Sequence, residues 1–467
     1  MPNISHIILF TSALCNLDCS YCYICKDKAG GLKQIDKDLE NDFKNRQQIK
    51  QVLDYDPNTT NTITGITLWG GEPFLYVERF TDSIQDYFSA FPKLNMIDTS
   101  TNFTIPNQVD KIKQLLDSIE KNYYGNTPFN FNLQISIDGY EEMNDAGRGQ
   151  GVTQAFLNNF YELLNMTYNS QKIKVNCYTK PTLSKETFKY INTKEGVLKW
   201  FQFFEEKMVV PYINSNSPIS FSPSLWNCAQ PSEWTSEDGK EYAKISRLIA
   251  ELSPEIKSKY PHWENQVSLV PEAGRVALAL ANTDIDGIIN GFKQPVCGGG
   301  CGSFVHTIVP IPHGSFTMCH RGLFDAYVDY SNNFKSKENM NNLSKEFFQA
   351  QNSDDWIYTK EELKTMQNTM NHLYCHANQI RYTDLLIGIR EYALAGIIDE
   401  QYANPENIDP TLGYFLLNSY CLQDSYIFTG SWTTVTLLEV PLLYNGVMEV
   451  VAEEIDRIRV EKGWKIV

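Results

Sequence analysis

Between residues 5 and 225 short β-branched runs alternate with amphipathic segments, and this rhythm limits the chain to few folds. Strands are predicted over Ser5–Thr11, Ile63–Leu68, Asn95–Asn102, Phe131–Ile137, Lys172–Tyr178 and Ile219–Phe221. Helices are predicted between them, over Val77–Phe91, Val152–Met166 and Lys199–Lys207. Another carries Val109, Ile112, Leu115, Leu116 and Ile119 on one face at helical spacing. Strict alternation means parallel strands joined by helical crossovers. Six such units give an α/β fold, a partial (β/α)6 barrel. A site is then expected in the loops after the C-terminal strand ends.

From Trp226 the rhythm stops. A helix is expected over Gly239–Leu252, and a Gly- and Pro-rich loop or hairpin between Cys297 and Cys319. Thr359 with Glu362 opens a helix to Tyr374 as a capping box, and further helices are predicted over Tyr382–Ile398 and Gly446–Lys462. The expected domains are a barrel over 1–225, a helical linker or insertion over 226–296, a small Cys-rich auxiliary domain over 297–380 and a C-terminal helical segment over 381–467. At 467 residues, with 42% hydrophobic and 21% charged, the chain has the balance of a soluble globular protein. A net charge of −16 disfavours nucleic acid and anionic lipid as partners. No stretch approaches the ~20 apolar residues of a membrane span, and Met1–Phe10 lacks a signal-peptide pattern, so a cytoplasmic protein without a membrane partner is expected.

Of the eleven cysteines, four lie between Cys15 and Cys25 and three between Cys297 and Cys319. In a reducing cytosol clustered cysteines favour metal or cluster ligation over disulfides. Cys177, Cys228 and Cys421 stand apart and read as small buried residues. Cys15, Cys19 and Cys22 fall within one loop after the first strand. Three thiolates would hold three corners of a cubane cluster and leave one iron open to a small ligand. Zinc usually takes four protein ligands at other spacings. Cys25 as a fourth ligand would close the site, and a zinc or reactive-thiol loop stays open at this point.

The run Cys-Asn-x-x-Cys-x-Tyr-Cys-Tyr, from Cys15 to Tyr23, resembles the radical S-adenosylmethionine (SAM) superfamily. The branch it is similar to includes anaerobic sulfatase-maturating enzymes and ribosomal-peptide maturases. The resemblance implies that Cys15, Cys19 and Cys22 hold a [4Fe–4S] cluster, that its open iron binds the amino and carboxylate groups of SAM, and that Tyr21 lies against the adenine. Gly70-Gly71-Glu72-Pro73 resembles the family's GGEP segment, where glycines admit the cofactor and Glu72 and carbonyls meet its ammonium. Thr101-Asn102 resembles a Thr-Asn-Gly strand end, with Phe103 in place of the Gly. Ser136-Ile137-Asp138-Gly139 resembles the family's fourth strand end. Asn144, Asp145 and Arg148 echo its His-Asp-x-x-Arg, with Asn in place of His. Ser136 and Arg148 thereby become candidates for the cofactor's carboxylate or ribose.

Cys297, Cys301, Cys319 and Cys375 resemble the ligands of an auxiliary [4Fe–4S] cluster in a SPASM-like domain of the shorter, single-cluster twitch form. Four cysteines also suit structural zinc. The resemblance implies a chemistry: an external donor of flavodoxin or ferredoxin type reduces the first cluster, SAM is cleaved to a 5′-deoxyadenosyl radical, and the radical takes hydrogen from a peptide or protein side chain. Two clusters are expected. The chain opens almost on its first strand, so a leader peptide is expected to be read after Tyr382, by another protein, or not at all. One alternative is a radical SAM enzyme acting on a small metabolite. Another, of a different class, is a non-catalytic iron–sulfur electron-transfer or scaffold protein.

Overall fold

The computed structural model describes residues 4–22, 24, 29–228, 236–263 and 307–317. Strands β1 (His6–Ser12), β2 (Gly65–Gly70), β3 (Met96–Thr101), β4 (Phe129–Ile135) and β5 (Ile173–Thr179) begin the sheet. After them come β6 (Thr182–Leu183), β7 (Ser220–Ser222), β8 (Asn227–Cys228), β9 (Thr307–Ile311) and β10 (Ser315–Thr317). The main sheet has the order β10-β9-β1-β2-β3-β4-β5-β7. From β1 to β7 neighbouring strands are parallel and follow chain order, as the alternation predicts. An order without reversal, with crossovers of one hand, places every crossover helix on the same face. Among the described residues β1 and β7 do not pair with each other, so the barrel is partial. The strands β6 and β8 form a separate parallel pair.

The helices are α1 (Ala29–Asn45), α2 (Gln47–Tyr55), α3 (Glu78–Thr81), α4 (Ile84–Ala90), α5 (Gln108–Asn122), α6 (Glu141–Arg148), α7 (Val152–Leu164), α8 (Lys194–Phe204), α9 (Val210–Ile213) and α10 (Ser236–Lys259). Burial alternates along β3 and β4, with Ile97, Thr99 and Thr101, then Phe129, Phe131, Leu133 and Ile135, on the helix side. The apolar members pack with Ile112, Leu115, Leu116 and Ile119 of α5 in one core. No described helix is long and apolar enough to cross a membrane.

Several predicted elements shift. The single helix expected over Val77–Phe91 is two, α3 and α4. Ser83 lies between them, and its hydroxyl donates to the carbonyls of Arg79 and Phe80, each at 2.9 Å. Such back-bonding offers the chain an alternative to the helical ladder. The helix expected from Lys199 begins at Lys194, capped by Thr193, whose hydroxyl accepts from Gly196 N at 3.1 Å. It ends in a π turn over Glu205–Val209. The helices α1 and α2, which the rhythm did not reveal, bury Ile35, Leu39 and Phe43, then Ile49, Val52 and Tyr55. Arg46 divides them at φ 56°.

Past position 225 the described chain shares the same core. Trp226, Ile245, Ile249, Leu252, Ile256, Tyr260 and Trp263 pack with Trp200, Phe201 and Phe204 of α8. The hairpin expected between Cys297 and Cys319 is β9 with β10, and β9 lies parallel beside β1. Cys25, Cys297, Cys301, Cys319, Cys375 and Cys421 lie outside the described residues, as do the helices predicted after Thr359.

Candidate functional site

The loop after β1 carries Cys15, Cys19 and Cys22, all partly exposed and none in a disulfide. It crosses the C-terminal ends of β1 to β4, where a parallel α/β sheet places its chemistry. Each strand end contributes an anchor. At β1, Asp36 of α1 accepts from Ser12 Oγ and Ala13 N, both at 3.0 Å. Arg79 of α3 holds that carboxylate at 2.9 Å and donates to Thr11 O, also at 2.9 Å.

At β2, Gly71 N donates to Ser12 O at 3.1 Å, and Glu72 N to Leu14 O at 2.8 Å. A Cβ on Gly70, at φ +152°, would stand 2.1 Å from Ser12 O, and one on Gly71 would stand 2.5 Å from Leu14 O. Here the glycines admit the backbone of the cysteine loop itself, a reason the sequence did not disclose. Pro73 opens a buried 3₁₀ turn over Pro73–Leu75, and its carbonyl accepts from Thr11 Oγ1 at 2.9 Å.

Glu72 is buried, 1% exposed, and ties β2 to β3. Its Oε1 accepts from Phe74 N at 3.0 Å and Thr101 Oγ1 at 2.8 Å, and its Oε2 from Asn102 N at 2.7 Å. Among the described residues Oε2 accepts this one bond, so it retains acceptor capacity. Burial pushes this carboxyl up to about 7, against the pull of those hydrogen bonds.

At β3, Asn102 Nδ2 donates to Asn16 Oδ1 at 2.8 Å and to Cys15 Sγ at 3.6 Å. Leu17 N also donates to Cys15 Sγ, at 3.4 Å. Phe103, in the place where the family pattern has Gly, sits at φ 59°. The left-handed backbone is kept although the residue is not Gly. Its ring is fully buried, edge-on to Phe156 at 5.7 Å, and Asn159 of α7 donates to its carbonyl at 2.9 Å.

At β4 the loop meets Asp138. Tyr21 Oη donates to Asp138 Oδ2 at 2.5 Å, and Ser20 N to Gly147 O at 2.9 Å. Arg148 donates from Nε and Nη2 to the two oxygens of Asp138 at 2.9 and 2.8 Å. Thr182 N adds a bond at 2.9 Å. The Arg148 guanidinium lies 5.6 Å from the Tyr21 ring centroid. A Cβ on Gly147 would stand 3.2 Å from that ring, so glycine permits the approach. Burial, then the charges of Asp138 and Cys19, hold the Tyr21 phenol well above its usual range, with Arg148 opposing. Asn144, where the pattern has His, accepts from Asp138 N at 2.9 Å. Ser136 stands on the inner face of the sheet, half-buried.

The structure thus brings Tyr21, Gly70, Gly71, Glu72, Thr101, Asn102 and Arg148 to one end of the sheet. It directs Arg148 to Asp138 and Glu72 to the β2–β3 junction. Sequence reasoning passed over Asp36, Arg79, Asp138 and Gly147 as site residues. Only Asp138, inside the Ser-Ile-Asp-Gly strand end, carried a signal. Among the described residues no three acidic, His or Cys side chains converge on a point that would hold a single metal ion. A four-iron cubane is a larger object, held by thiolates at separate corners. Three cysteines on one pinned loop, with N–H groups donating to Cys15 Sγ, fit such a group.

Residues 6–131 match the family described as 4Fe-4S single cluster domain. A curated relative, Uncharacterized protein MJ0907 of Methanocaldococcus jannaschii, is 31% identical over 151 residues, 32% of this chain and 43% of that protein. The chain therefore matches less than half of that relative's length. Among solved structures, native anSMEcpe with bound AdoMet is 16% identical, covering 80% of this chain and 99% of that one at a TM-score of 0.40. The same protein with AdoMet and Cp18Cys peptide is 15% identical, with coverages of 80% and 99% and a TM-score of 0.36. These scores are too low to transfer a site. Over residues 6–131, then, the chain is similar to the 4Fe-4S single cluster domain, and all three cysteines of the loop fall within the matched span.

Proposed function

We propose that this protein is a radical SAM enzyme that modifies a peptide or protein side chain, by oxidation or cross-linking. One observation carries the radical SAM part. A loop with three cysteines lies across the ends of β1 to β4, pinned by Asp36, Gly71, Asn102, Gly147 and Asp138. When bound there, a [4Fe–4S] cluster with SAM would supply reductive cleavage of the sulfonium and hydrogen-atom abstraction. Cys15, Cys19 and Cys22 would hold the cluster. Glu72 keeps an acceptor position for an ammonium group, and Gly70, Gly71, Pro73, Thr101 and Asn102 shape the wall beside it. Tyr21, fixed by Asp138 and Arg148, holds the far end of the loop, and Ser136 offers a hydroxyl on the inner face.

The peptide substrate rests on the branch of the family that the Cys15–Tyr23 run resembles. On the same basis Cys297, Cys301, Cys319 and Cys375 are proposed to hold an auxiliary cluster in a domain over 297–380, with the partition at 225, 296 and 380. A cytoplasmic location and a flavodoxin- or ferredoxin-type donor complete the proposal.

Anaerobic reconstitution followed by dithionite and SAM tests it. About eight irons per chain and accumulating 5′-deoxyadenosine are expected. About four irons would remove the auxiliary cluster from the proposal. Absence of 5′-deoxyadenosine from iron-replete protein would remove the enzyme.

A further inference from the structure

The inner face of the sheet, opposite the helices, is polar over most of its width. Register aligns it in layers: Ile8 beside Thr67, Thr67 beside Asp98, Asp98 beside Asn132, Asn132 beside Asn176, and Asn176 beside Ser220. One layer toward the strand ends, Phe10 neighbours Trp69, Gln134 neighbours Ser100 and Tyr178, and Tyr178 neighbours Ser222. In a closed β/α barrel such layers are filled by branched apolar side chains. Here only Ile8 and Phe10 are buried, in a cluster with Ile35, Leu39, Val309 and Ile311. From β2 to β7 both rows are half-exposed or exposed.

Asp98 sits in the middle of this face. Asn176 Nδ2 donates to Asn132 Oδ1 at 2.9 Å, and Asn132 Nδ2 to Asp98 Oδ1 at 2.6 Å. This relay fixes the plane of the carboxylate and leaves Oδ2 without a hydrogen bond among the described residues. No cation among the described residues pairs with Asp98. Lys174, one layer below on β5, is exposed and forms no ion pair among the described residues. Burial raises the Asp98 pKa above the ordinary range, with the Asn132 bond pulling the other way. A half-buried carboxylate with one neutral donor and no counter-charge is poorly balanced, and a charge-assisted bond from a cation restores the balance. Trp69, on the neighbouring strand one layer up, offers a half-exposed ring beside an aliphatic stem.

We propose that Asp98, oriented by Asn132 and Asn176, is the recognition point for a protonated amine or guanidinium carried by the substrate. The identity of the occupant rests on the function proposed above. The site itself goes beyond that function, because it assigns charge to the substrate and a receptor for it.

The test is calorimetric titration of the full-length protein, purified anaerobically with its iron counted, using two probes. Nα-acetyl-lysine amide carries the charge, and Nα-acetyl-norleucine amide is its neutral counterpart. The wild type is expected to bind the lysine probe about tenfold more tightly than the norleucine probe. Asp98→Asn should bring the two affinities together. Asp110→Asn, at an exposed acid on α5, should leave the preference unchanged. Saturating SAM should also leave it unchanged. Equal binding of both probes by the wild type overturns the proposal even if Asp98→Asn does not fold. A preference that survives in Asp98→Asn, or displacement of the lysine probe by SAM, also overturns it. Lost preference with normal iron sinks this site alone, and retained preference without iron sinks the cluster reading alone.

Discussion

Phe103 shows how one residue can satisfy a backbone written for another. A left-handed φ costs a residue with a Cβ about 1–2 kcal/mol, while removing a buried aromatic ring costs about 3–5 kcal/mol. Phe103→Gly should therefore destabilise the protein by about 2–3 kcal/mol, read as a lowered urea midpoint. A stabilised variant would show that the ring packs poorly on Phe156. The Tyr21–Asp138–Arg148 group is a second case. Asp138→Asn leaves Arg148 charged and buried without its partner, which typically costs about 3–5 kcal/mol. Tyr21→Phe removes one hydrogen bond to a charged carboxylate, worth about 1.5–3 kcal/mol. Urea unfolding of the two variants should separate them in that order. Equal losses would mean that the Asp138–Arg148 pair does not hold this end of the sheet. The sequence displayed Asp138 within its strand-end motif, but burial and pairing with Arg148 depend on α6 folding back, which no local pattern reports.

Glu72 acts at the scale of elements, as a clamp between β2 and β3. Its carboxyl lies near 7 in the fold and near 4.5 when exposed, so the folded state holds the proton more tightly. For a raised carboxylate the contribution to stability is fully present below about 4.5 and is lost as pH rises through about 7. The loss is roughly 3 kcal/mol. Glu72→Gln mimics the protonated form, so its stability relative to wild type should rise between pH 5 and pH 8. A pH-independent difference, measured by denaturant titration, would contradict the burial argument. At this scale β1 to β5 and β7 were legible within two residues because short apolar or alternating runs mark them, whereas the two-residue strands β6 and β8 are too short to leave a pattern. Helices α1 and α2 were not legible from that rhythm, although Ile35, Leu39 and Phe43 keep a four-residue spacing. The Val77–Phe91 helix was over-read because Ser83 interrupts the ladder through side-chain bonds, which periodicity does not register.

Across the described residues, the parallel strands β1 to β7, in chain order, set a cysteine loop at one end and a polar face within. The order was legible from alternation alone. The pins on the loop were not, because Asp36, Arg79 and Gly147 act through space from three different helices. Replacing Cys15, Cys19 and Cys22 together by Ala should lower iron to about four per chain and abolish 5′-deoxyadenosine. Unchanged iron would place the cluster elsewhere. The most direct test of the central claim is electron–nuclear double resonance on the dithionite-reduced protein with SAM labelled by ¹⁵N at the amino group. A hyperfine coupling to that nitrogen is predicted, because the proposed three-cysteine ligand set would leave one iron open to SAM. A reduced cluster with no such coupling at saturating SAM would contradict it.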